Sequence, residues 1–330
     1  MDQASYGTIS RFLDGLRLQA ATTENKRNVE TLRQSLETTL RRCPGNQHAE
    51  VRLFGSFESG LCTTTSDADF TVYNFVSPGF EKPINVLTRI LSTVIYGSIK
   101  TIPNARVPIA SFVEQGIHCD ISINQPMGVF NSQLINAYQM IDTRFLGLWF
   151  GIRYLARQHG ILGGNTGYLS SYALTMMLIV FLQDVTSPPI LPKLQQQSAE
   201  KMYCCLIDEH ICAYDRNSRD YTALAVKNTK SEGELFFDFC KYFGYAFSYS
   251  TQEVNPRLGI IRNVWSVSPP PRTWTDRRPK DWAMCVLDPF IPRRNVTCNC
   301  RAKQVSDIQM CFRSASVALE RCDIDKAFKR

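Results

Sequence analysis

Three aspartates in the first half of the chain have the type and spacing that metal-dependent chemistry requires. Asp67 and Asp69 lie two residues apart at the start of a predicted strand, so their side chains point to the same face. Two carboxylates on one face repel each other unless a divalent cation lies between them. Asp120 lies within an apolar segment, residues 118–123, where an unpaired carboxylate is costly. We therefore predict that Asp67, Asp69 and Asp120 form a catalytic, metal-binding group.

A Gly-Ser turn lies just upstream of these aspartates. Gly55 and Ser56 follow a predicted strand and open a predicted helix, where free backbone N–H groups and a hydroxyl can hold phosphate oxygens. Three strand-borne aspartates beside such a turn suit a site with two metal ions, Mg²⁺ or Mn²⁺. One ion would lower the pKa of an attacking hydroxyl, and the other would hold a triphosphate and stabilise the leaving pyrophosphate.

Short strands and a helix are predicted to position these residues. Segments 51–54, 70–75, 107–112 and 118–123 are rich in β-branched and aromatic residues, which is typical of strands. Between the second and third of them, residues 84–95 have apolar side chains at helical spacing. This order predicts a small α/β domain over residues 45–130.

The rest of the chain is predicted to be mainly helical. Apolar stripes indicate two helices that end before Pro44. Residues 134–156 read as one long amphipathic segment, residues 169–182 as a nearly all-apolar helix inside a second domain, and residues 234–245 as a further helix.

Composition excludes several classes of protein. The chain has 330 residues, of which 44% are hydrophobic and 20% charged, so it is neither disordered nor fibrous. No apolar run reaches the roughly 20 residues that a membrane span needs, and no secretory signal is visible. The formal charge of +7 allows an anionic partner. The twelve cysteines are scattered through apolar stretches, which indicates reduced thiols in a reducing compartment.

The motifs resemble those of DNA-polymerase-β-type nucleotidyltransferases, in the branch that holds poly(A) polymerases and terminal uridylyltransferases. Within that branch, the chain resembles the minimal uridylyltransferases of trypanosomatids, including the kind associated with mitochondrial editosome-like complexes. It rests on the Gly-Ser turn, the three aspartates and further stretches in matching order, namely residues 105–109, 119–122, 131–134, 167–174, 189–192 and 288–290.

The resemblance implies an α+β, bilobed enzyme with the nucleotide in the cleft between two domains. One domain is polymerase-β-like, with a mixed sheet and helices, and the other is a mainly helical central domain. The expected division is residues 1–44 as N-terminal helices packing mainly on the central domain, 45–130 as the catalytic domain and 131–330 as the central, base-recognising domain.

The resemblance also implies roles in nucleotide binding. Asn131 and Ser132 would contact the ribose 2′-hydroxyl and the base edge. Ser171 would touch the triphosphate, and Tyr172 would stack on the base. Ser66, directly before the first aspartate, belongs to the same nucleotide-binding group.

Three family positions depart from the usual pattern. Arg153 and Arg157 stand where the family usually has two lysines on the β- and γ-phosphates, and they keep the charge. Asp288 matches the acid that reads the uracil imide. The family's second acid is Ile291 here, and a frequent histidine or arginine aligns with Arg294. Preference for UTP therefore cannot rest on two carboxylates.

The implied reaction is template-independent transfer of UMP from UTP to an RNA 3′-hydroxyl. The RNA end would be single-stranded or carry a short overhang, with Arg106 meeting an RNA phosphate. A multiprotein RNA-processing complex in the mitochondrial matrix is expected, with the cytoplasm as the alternative and no membrane partner. A poly(A) polymerase with the same chemistry, a catalytically silent RNA-binding scaffold and a small-molecule nucleotidyltransferase stay open as other interpretations.

Overall fold

The computed structural model describes residues 1–105, 107–207, 209–263 and 282–329. The chain forms two compact units. We call residues 19–136 the carboxylate unit, because it holds the three aspartates, and residues 1–18 together with 137–330 the helical unit.

The first two helices belong to different units. Helix α1 (Gln3–Arg17) is part of the helical unit, whereas α2 (Thr23–Arg41) is part of the carboxylate unit. Two hydrogen bonds tie α2 to the first strand: Arg33 Nη1 donates to the carbonyl oxygen of Val51 at 2.9 Å, and the Val51 N–H donates to Glu37 Oε2 at 3.0 Å. The segment 1–44, which we expected to pack mainly on the central domain, is thus divided between the two units.

A five-stranded mixed sheet forms the frame of the carboxylate unit. Its strands are β1 (Glu50–Phe54), β2 (Ala68–Tyr73), β3 (Lys100–Ile102), β4 (Ile109–Glu114) and β5 (Ile117–Ile123). Their order is β1-β2-β5-β4-β3, with β2 and β5 parallel and the other neighbours antiparallel. Helix α3 (Gly55–Ser59) follows β1 directly, and α4 (Pro83–Leu91) lies between β2 and β3 in the chain.

Alternation along the strands gives the sheet a buried face and a more open face. Phe70, Ala110 and Ile121 are fully buried in a core that also takes in the apolar sides of α2 and α4. Side chains alternate between the faces, so Asp69 and Asp120, next to Phe70 and Ile121, lie on the other face. The pattern of the sequence thus decides which face carries the carboxylates.

The predicted strands of this unit are all present, with ends displaced by at most two residues. Strand β3 was not predicted, because three residues are too few to show an alternating pattern. The predicted helix over residues 84–95 is present as α4 and ends at Leu91, earlier than its apolar spacing indicated.

Helices dominate the second unit. Helix α5 (Pro126–Gln139) contains the boundary between the units, and the later helices are α6 (Arg144–Gln158), α7 (Ser171–Val180), α8 (Thr222–Ala225), α9 (Glu232–Lys241), α10 (Ala302–Glu320) and α11 (Ile324–Phe328). Two small sheets accompany them: β6 (Met202–Ile207) pairs with β7 (His210–Asp215), and β8 (Gln252–Asn255) lies between β9 (Ile260–Asn263) and β10 (Cys285–Val286).

The segment predicted as one helix over residues 134–156 is wrong as a single element. The structure has two helices there, α5 and α6. Asp142 lies between them, and its Oδ1 accepts from the N–H of Arg144, the first residue of α6, at 2.9 Å. By contrast, α7 fits its prediction as a buried apolar helix, because every residue from Ala173 to Val180 is at most 2% exposed.

None of the helices in the described part of the chain is long and apolar enough to cross a membrane. All twelve cysteines lie within that part and are free thiols. Most are buried, whereas Cys204 and Cys322 are exposed and so do not follow the prediction of core thiols.

Candidate active site

Asp69 and Asp120 lie side by side on the two parallel strands at the centre of the sheet. Asp69 on β2 is directly opposite Asp120 on β5 in the strand register. Directly paired residues on neighbouring strands share a face and lie about 5 Å apart. The structure therefore brings together two of the three predicted metal ligands, which are separated by fifty residues in the chain.

A glycine at the end of β1 makes room for the Asp69 carboxylate. Gly55 has φ +67°, in the left-handed region that residues with a side chain seldom adopt. A Cβ added there would collide with Oδ2 of Asp69. The Gly-Ser turn is thus packed against the Asp69 carboxylate, and this close approach explains the glycine.

A serine that no sequence motif singles out orients Asp120. Ser111 on β4 is opposite Asp120 in the register, and its hydroxyl donates to Asp120 Oδ1 at 2.5 Å. Because that bond fixes one carboxylate oxygen, Oδ2 is the oxygen left for a ligand. Only the pairing of β4 with β5 identifies Ser111, and a serine in a strand carries no signal of its own.

Burial and nearby like charges oppose ionisation of the Asp69 carboxyl. Burial, followed by the nearby charges of Asp120 and Asp67, raises the pKa of Asp69 to about 7. Asp67 itself is exposed, just before β2. In the described residues no three side chains of histidine, cysteine, aspartate or glutamate already converge to hold a metal ion. The donor types nevertheless fit Mg²⁺, because carboxylate oxygens are its preferred protein ligands.

The residues around the Gly-Ser turn are held by their own hydrogen bonds. The Gly55 N–H donates to Ser132 Oγ at 2.8 Å, and that hydroxyl donates to the carbonyl oxygen of Gly128 at 2.8 Å. The prediction that the Gly55 N–H holds a phosphate does not fit this arrangement. Ser132 is buried, and its hydroxyl supports the turn. The Ser66 hydroxyl likewise accepts from the Thr63 N–H at 2.8 Å.

Two polar groups near the turn have no partner among the described residues. The Ser56 hydroxyl makes no hydrogen bond there. The side-chain oxygen of Asn131, Oδ1, is buried without a hydrogen-bond donor. A buried acceptor without a donor is uncommon in native proteins and is typical of a ligand site. Both residues were predicted to bind nucleotide, and both have free capacity to do so.

Arg153 and Arg157 form a cationic pair on α6 in the helical unit. They are one helical turn apart, so they lie on one face. Burial, followed by the charge of Arg157, lowers the pKa of Arg153. The Arg153 guanidinium lies over the Trp149 ring, 5.6 Å from its centroid, and neither arginine pairs with a carboxylate in the described part. Two adjacent cations without counter-ions are suited to an anionic ligand such as a triphosphate.

Asp288, Tyr172 and Arg294 come together within the helical unit. Asp288 is 3% exposed, and its Oδ1 accepts from the N–H groups of Phe290 and Ile291, each at 2.9 Å. Its Oδ2 lies 3.4 Å from the Tyr172 hydroxyl and 3.9 Å from Arg294 Nη1. Burial, followed by the Asp288 charge, raises the pKa of Tyr172 well above its usual range, so the phenol stays a donor.

Three further predicted residues have less structural context. Ser171 is the first residue of α7, but Ser170 is the N-cap and accepts from the Ala173 N–H at 3.1 Å. The Ser171 hydroxyl is left without a hydrogen bond to any described residue. Ile291 contributes only its backbone N–H to Asp288, as given above. Arg106, predicted to bind RNA, lies outside the described residues.

The chain is similar to known proteins both in sequence and in fold. Residues 7–140 match the family model described as "Poly(A) RNA polymerase, mitochondrial-like, central palm domain". The chain is 27% identical to Poly(A) RNA polymerase cid11 of Schizosaccharomyces pombe over 87% of its own length and 56% of that protein's. It is 28% identical to human Terminal uridylyltransferase 7 over 86% of its own length and 19% of that protein's. The chain thus spans about half, or less, of the length of these curated relatives.

A solved structure of a Cid1 poly(U) polymerase variant bound to MgATP superposes with a TM-score of 0.83 at 21% identity, covering 97% of this chain and 98% of that one. Other structures of Cid1 hold the UTP analogue UMPNPP and the short product ApU. The likeness establishes the predicted fold: α+β, with a polymerase-β-like nucleotidyltransferase sheet.

Proposed function

We propose that this chain, which is related to the poly(A) RNA polymerases and terminal uridylyltransferases, is an RNA 3′-terminal uridylyltransferase. It would transfer UMP from UTP to the 3′-hydroxyl of RNA and release pyrophosphate. The observation that carries the proposal is the carboxylate pair: Asp69 and Asp120 face each other across parallel strands, with Asp67 beside them and Gly55 against Asp69.

Asp67, Asp69 and Asp120 would hold two divalent ions, Mg²⁺ or Mn²⁺. Burial, followed by the like charges of Asp120 and Asp67, raises the pKa of Asp69, and a divalent cation would relieve the repulsion among these carboxylates. Bound ions supply charge neutralisation at the reacting phosphate and favour deprotonation of the attacking hydroxyl. The relatives' structures with MgATP support Mg²⁺ as the ion.

The aspartates and Ser111 would position the attacking group. The RNA 3′-oxygen forms a bond to the α-phosphorus of UTP while the bond from that phosphorus to the β-phosphate's bridging oxygen breaks. The hydroxyl proton passes to the free Oδ2 of Asp120 or to water. The Ser111 hydroxyl donates to the other oxygen of that carboxylate, Oδ1, at 2.5 Å. This bond fixes the orientation of the carboxylate, and with it the position of Oδ2.

Arg153, Arg157, Ser56 and Ser171 are assigned to the phosphates of UTP. The two guanidiniums lack a carboxylate partner in the described part of the chain, and both serine hydroxyls are unbonded there. Pyrophosphate leaves with additional negative charge, which adjacent cations stabilise. Asn131, whose buried Oδ1 lacks a donor, would accept from the ribose 2′-hydroxyl.

Uracil recognition would depend on Tyr172, Asp288 and Arg294. Tyr172 provides an aromatic ring for the base, which stacking stabilises by roughly 1–3 kcal/mol without regard to identity. Asp288 Oδ2 would accept from the uracil N3–H, through water, and Arg294 would donate to a uracil carbonyl. Adenine presents no imide N–H, so this pairing favours UTP.

A poly(A) polymerase is the second candidate, and Ile291 is the observation that favours it. An isoleucine replaces the second acid of the uracil site, so only one carboxylate remains to accept from the imide. Relatives named as poly(A) polymerases support this alternative.

A four-nucleotide extension assay tests the proposal. A labelled single-stranded RNA is incubated with the enzyme, Mg²⁺ and each NTP separately. Addition from UTP at least tenfold faster than from ATP is expected. Preferential use of ATP would establish the second candidate instead. Arg294→Ala is expected to lower the ratio of the UTP rate to the ATP rate. Arg293→Ala, at the half-exposed neighbouring position, is the matched control.

We also propose that the protein acts in mitochondria as part of an RNA-processing complex. Support comes from the matched model, whose description is mitochondrial-like. Cell fractionation of the natural full-length protein, followed by affinity purification from the mitochondrial fraction, tests it. Recovery of the protein only from the cytosol would contradict the proposal.

A further inference from the structure

An open pocket adjoins the aspartates inside the carboxylate unit. It has a volume of about 390 Å³, and Asp67, Ser111, Val113, His118 and Asp120 contribute to its lining. The lining includes no lysine or arginine among the described residues. It therefore suits the sugar and base of a nucleotide better than a phosphate, whose charge would need a cation nearby.

The strand register arranges a row of polar side chains across the sheet beside this pocket. Lys100 is opposite Ser111, Ser111 is opposite Asp120, and Asp120 is opposite Asp69. Directly paired residues share a face, so the Lys100 side chain is on the face of the aspartates. Neighbouring strands are about 4.8 Å apart, which puts the Lys100 backbone roughly 10 Å from that of Asp120.

Lys100 is available to bind an external anion. It is exposed on the edge strand β3, and it forms no ion pair with any residue in the described part of the chain. A lysine carries a mobile ammonium group on a flexible four-carbon stem, so it can meet a phosphate at the rim of the pocket.

The two ends of the row have complementary roles in an in-line displacement. Gly55 packs against Asp69 at one end, where the Ser56 hydroxyl is assigned to UTP. Phosphoryl transfer places the attacking and leaving oxygens on opposite sides of phosphorus. If the leaving pyrophosphate is on the side of β1, the RNA 3′-hydroxyl must approach from the side of β4 and β3, where Lys100 lies.

A second row on the same face completes the acceptor side. Val113 is opposite His118, which lies two residues before Asp120 and is exposed. An apolar side chain and an imidazole provide a surface for a nucleoside, next to the carboxylate that faces the 3′-hydroxyl.

We propose that Lys100 binds a phosphate of the RNA acceptor strand, so that the 3′-terminal nucleoside enters the pocket and its hydroxyl lies beside Asp120. Lys100 is then a positioning residue for the acceptor. The inference rests on the proposed function, since it assumes that RNA is the acceptor.

Binding and kinetic measurements on three variants test this role. The variants are Lys100→Gln, Lys100→Arg, which keeps the charge, and Lys26→Gln, which removes an exposed lysine from α2 of the same unit. Fluorescence anisotropy with a labelled single-stranded RNA, in EDTA and at several salt concentrations, gives the dissociation constant and its salt slope. Steady-state kinetics then give KM for RNA and for UTP separately.

Lys100→Gln is expected to raise the RNA dissociation constant and the KM for RNA about five- to twentyfold, because one charge-assisted contact is lost. The KM for UTP should be unchanged, and the salt slope should fall by about 0.7, the value for one ion pair with a single strand. Lys100→Arg should stay within about twofold of wild type, as should Lys26→Gln.

Wild-type RNA affinity and salt slope in Lys100→Gln would overturn the inference. A rise in the KM for UTP with an unchanged KM for RNA would also overturn it, by placing Lys100 on the triphosphate side. The binding comparison needs no catalysis. A wild-type protein that extends no RNA would therefore refute the proposed function, while the anisotropy data would still decide on Lys100.

Discussion

Replacing Asp69 by asparagine is expected to stabilise the metal-free protein above neutral pH. The wild-type carboxyl is partly buried beside Asp120 and near Asp67, and both the burial and the like charges oppose its ionisation. Asparagine has nearly the same shape but no charge, so the repulsion disappears while the packing against Gly55 is kept. A residue that we propose to be catalytic is thus expected to weaken the fold of the metal-free protein.

The magnitude follows from the pKa of Asp69, which is raised from 3.8 to about 7. A shift of about 3 units at 1.36 kcal/mol each amounts to about 4 kcal/mol when the carboxyl is fully ionised. The amide of asparagine is still partly deprived of water, so we expect a net gain of about 2–4 kcal/mol in the free energy of unfolding.

The pH dependence has a definite sign. Below pH 3.8 the Asp69 carboxyl is protonated in both the folded and the unfolded chain, and the wild type has no penalty. Between pH 3.8 and about 7 the unfolded chain has released this proton while the folded chain still holds it, so wild-type stability falls across that interval and changes no further above it. The advantage of Asp69→Asn should therefore be absent near pH 4 and complete above pH 7.

Urea unfolding in EDTA at pH 5 and pH 8 measures this difference. Asp220→Asn, at an exposed position, is the matched control and should match the wild type at both pH values. Added Mg²⁺ should stabilise the wild type, by about 1.4 kcal/mol at ten times its dissociation constant, and leave Asp69→Asn unchanged. Equal stability of Asp69→Asn and wild type at pH 8 would refute the view of a strained carboxylate pair.

Three other substitutions test separate parts of the site. Gly55→Ala should lower the free energy of unfolding by about 1–3 kcal/mol, because φ is +67° and the new Cβ would collide with the Asp69 carboxylate. Urea unfolding measures this loss, and the same collision should abolish activity. Ser111→Ala should reduce kcat about tenfold or more with little change in KM, since Asp120 loses its donor, and an unchanged kcat would contradict the assignment. Arg153→Ala should raise the KM for UTP about tenfold and leave the KM for RNA unaltered, whereas Arg153→Lys should retain most of the affinity; equal effects on both substrates would argue against a triphosphate contact.

The candidate catalytic residues could be selected from the sequence where the signal was local. An Asp-x-Asp at a strand start and an aspartate inside an apolar strand are unusual enough to stand out, and the Gly-Ser turn has a recognisable position after a strand. The position of Asp69 opposite Asp120 is different in kind, because it depends on β5 pairing with β2, a strand distant in the chain, as well as with its chain neighbour β4. Local patterns do not encode that choice of partner.

Residues whose role depends on which strands pair could not be identified from the sequence, for the same reason. Ser111 and Lys100 gain meaning only from the register of β3, β4 and β5. Ser132 was predicted to face the nucleotide, but its hydroxyl is bonded to the Gly55 N–H, a contact across 77 positions of sequence. Helix α10 (Ala302–Glu320) was not predicted, although its buried apolar residues recur at helical spacing, so in this case the local signal was present.

The central claim is that the Asp67, Asp69 and Asp120 group transfers a nucleotide to an RNA end. The most direct measurement counts pyrophosphate released per nucleotide added to a labelled RNA 3′ end, with UTP and Mg²⁺, in the wild type and in Asp120→Asn. We predict one pyrophosphate for each uridylate added by the wild type, and neither product above background from Asp120→Asn. Extension by Asp120→Asn at the wild-type rate, or no extension of RNA by the wild type with any of the four NTPs, would contradict the claim.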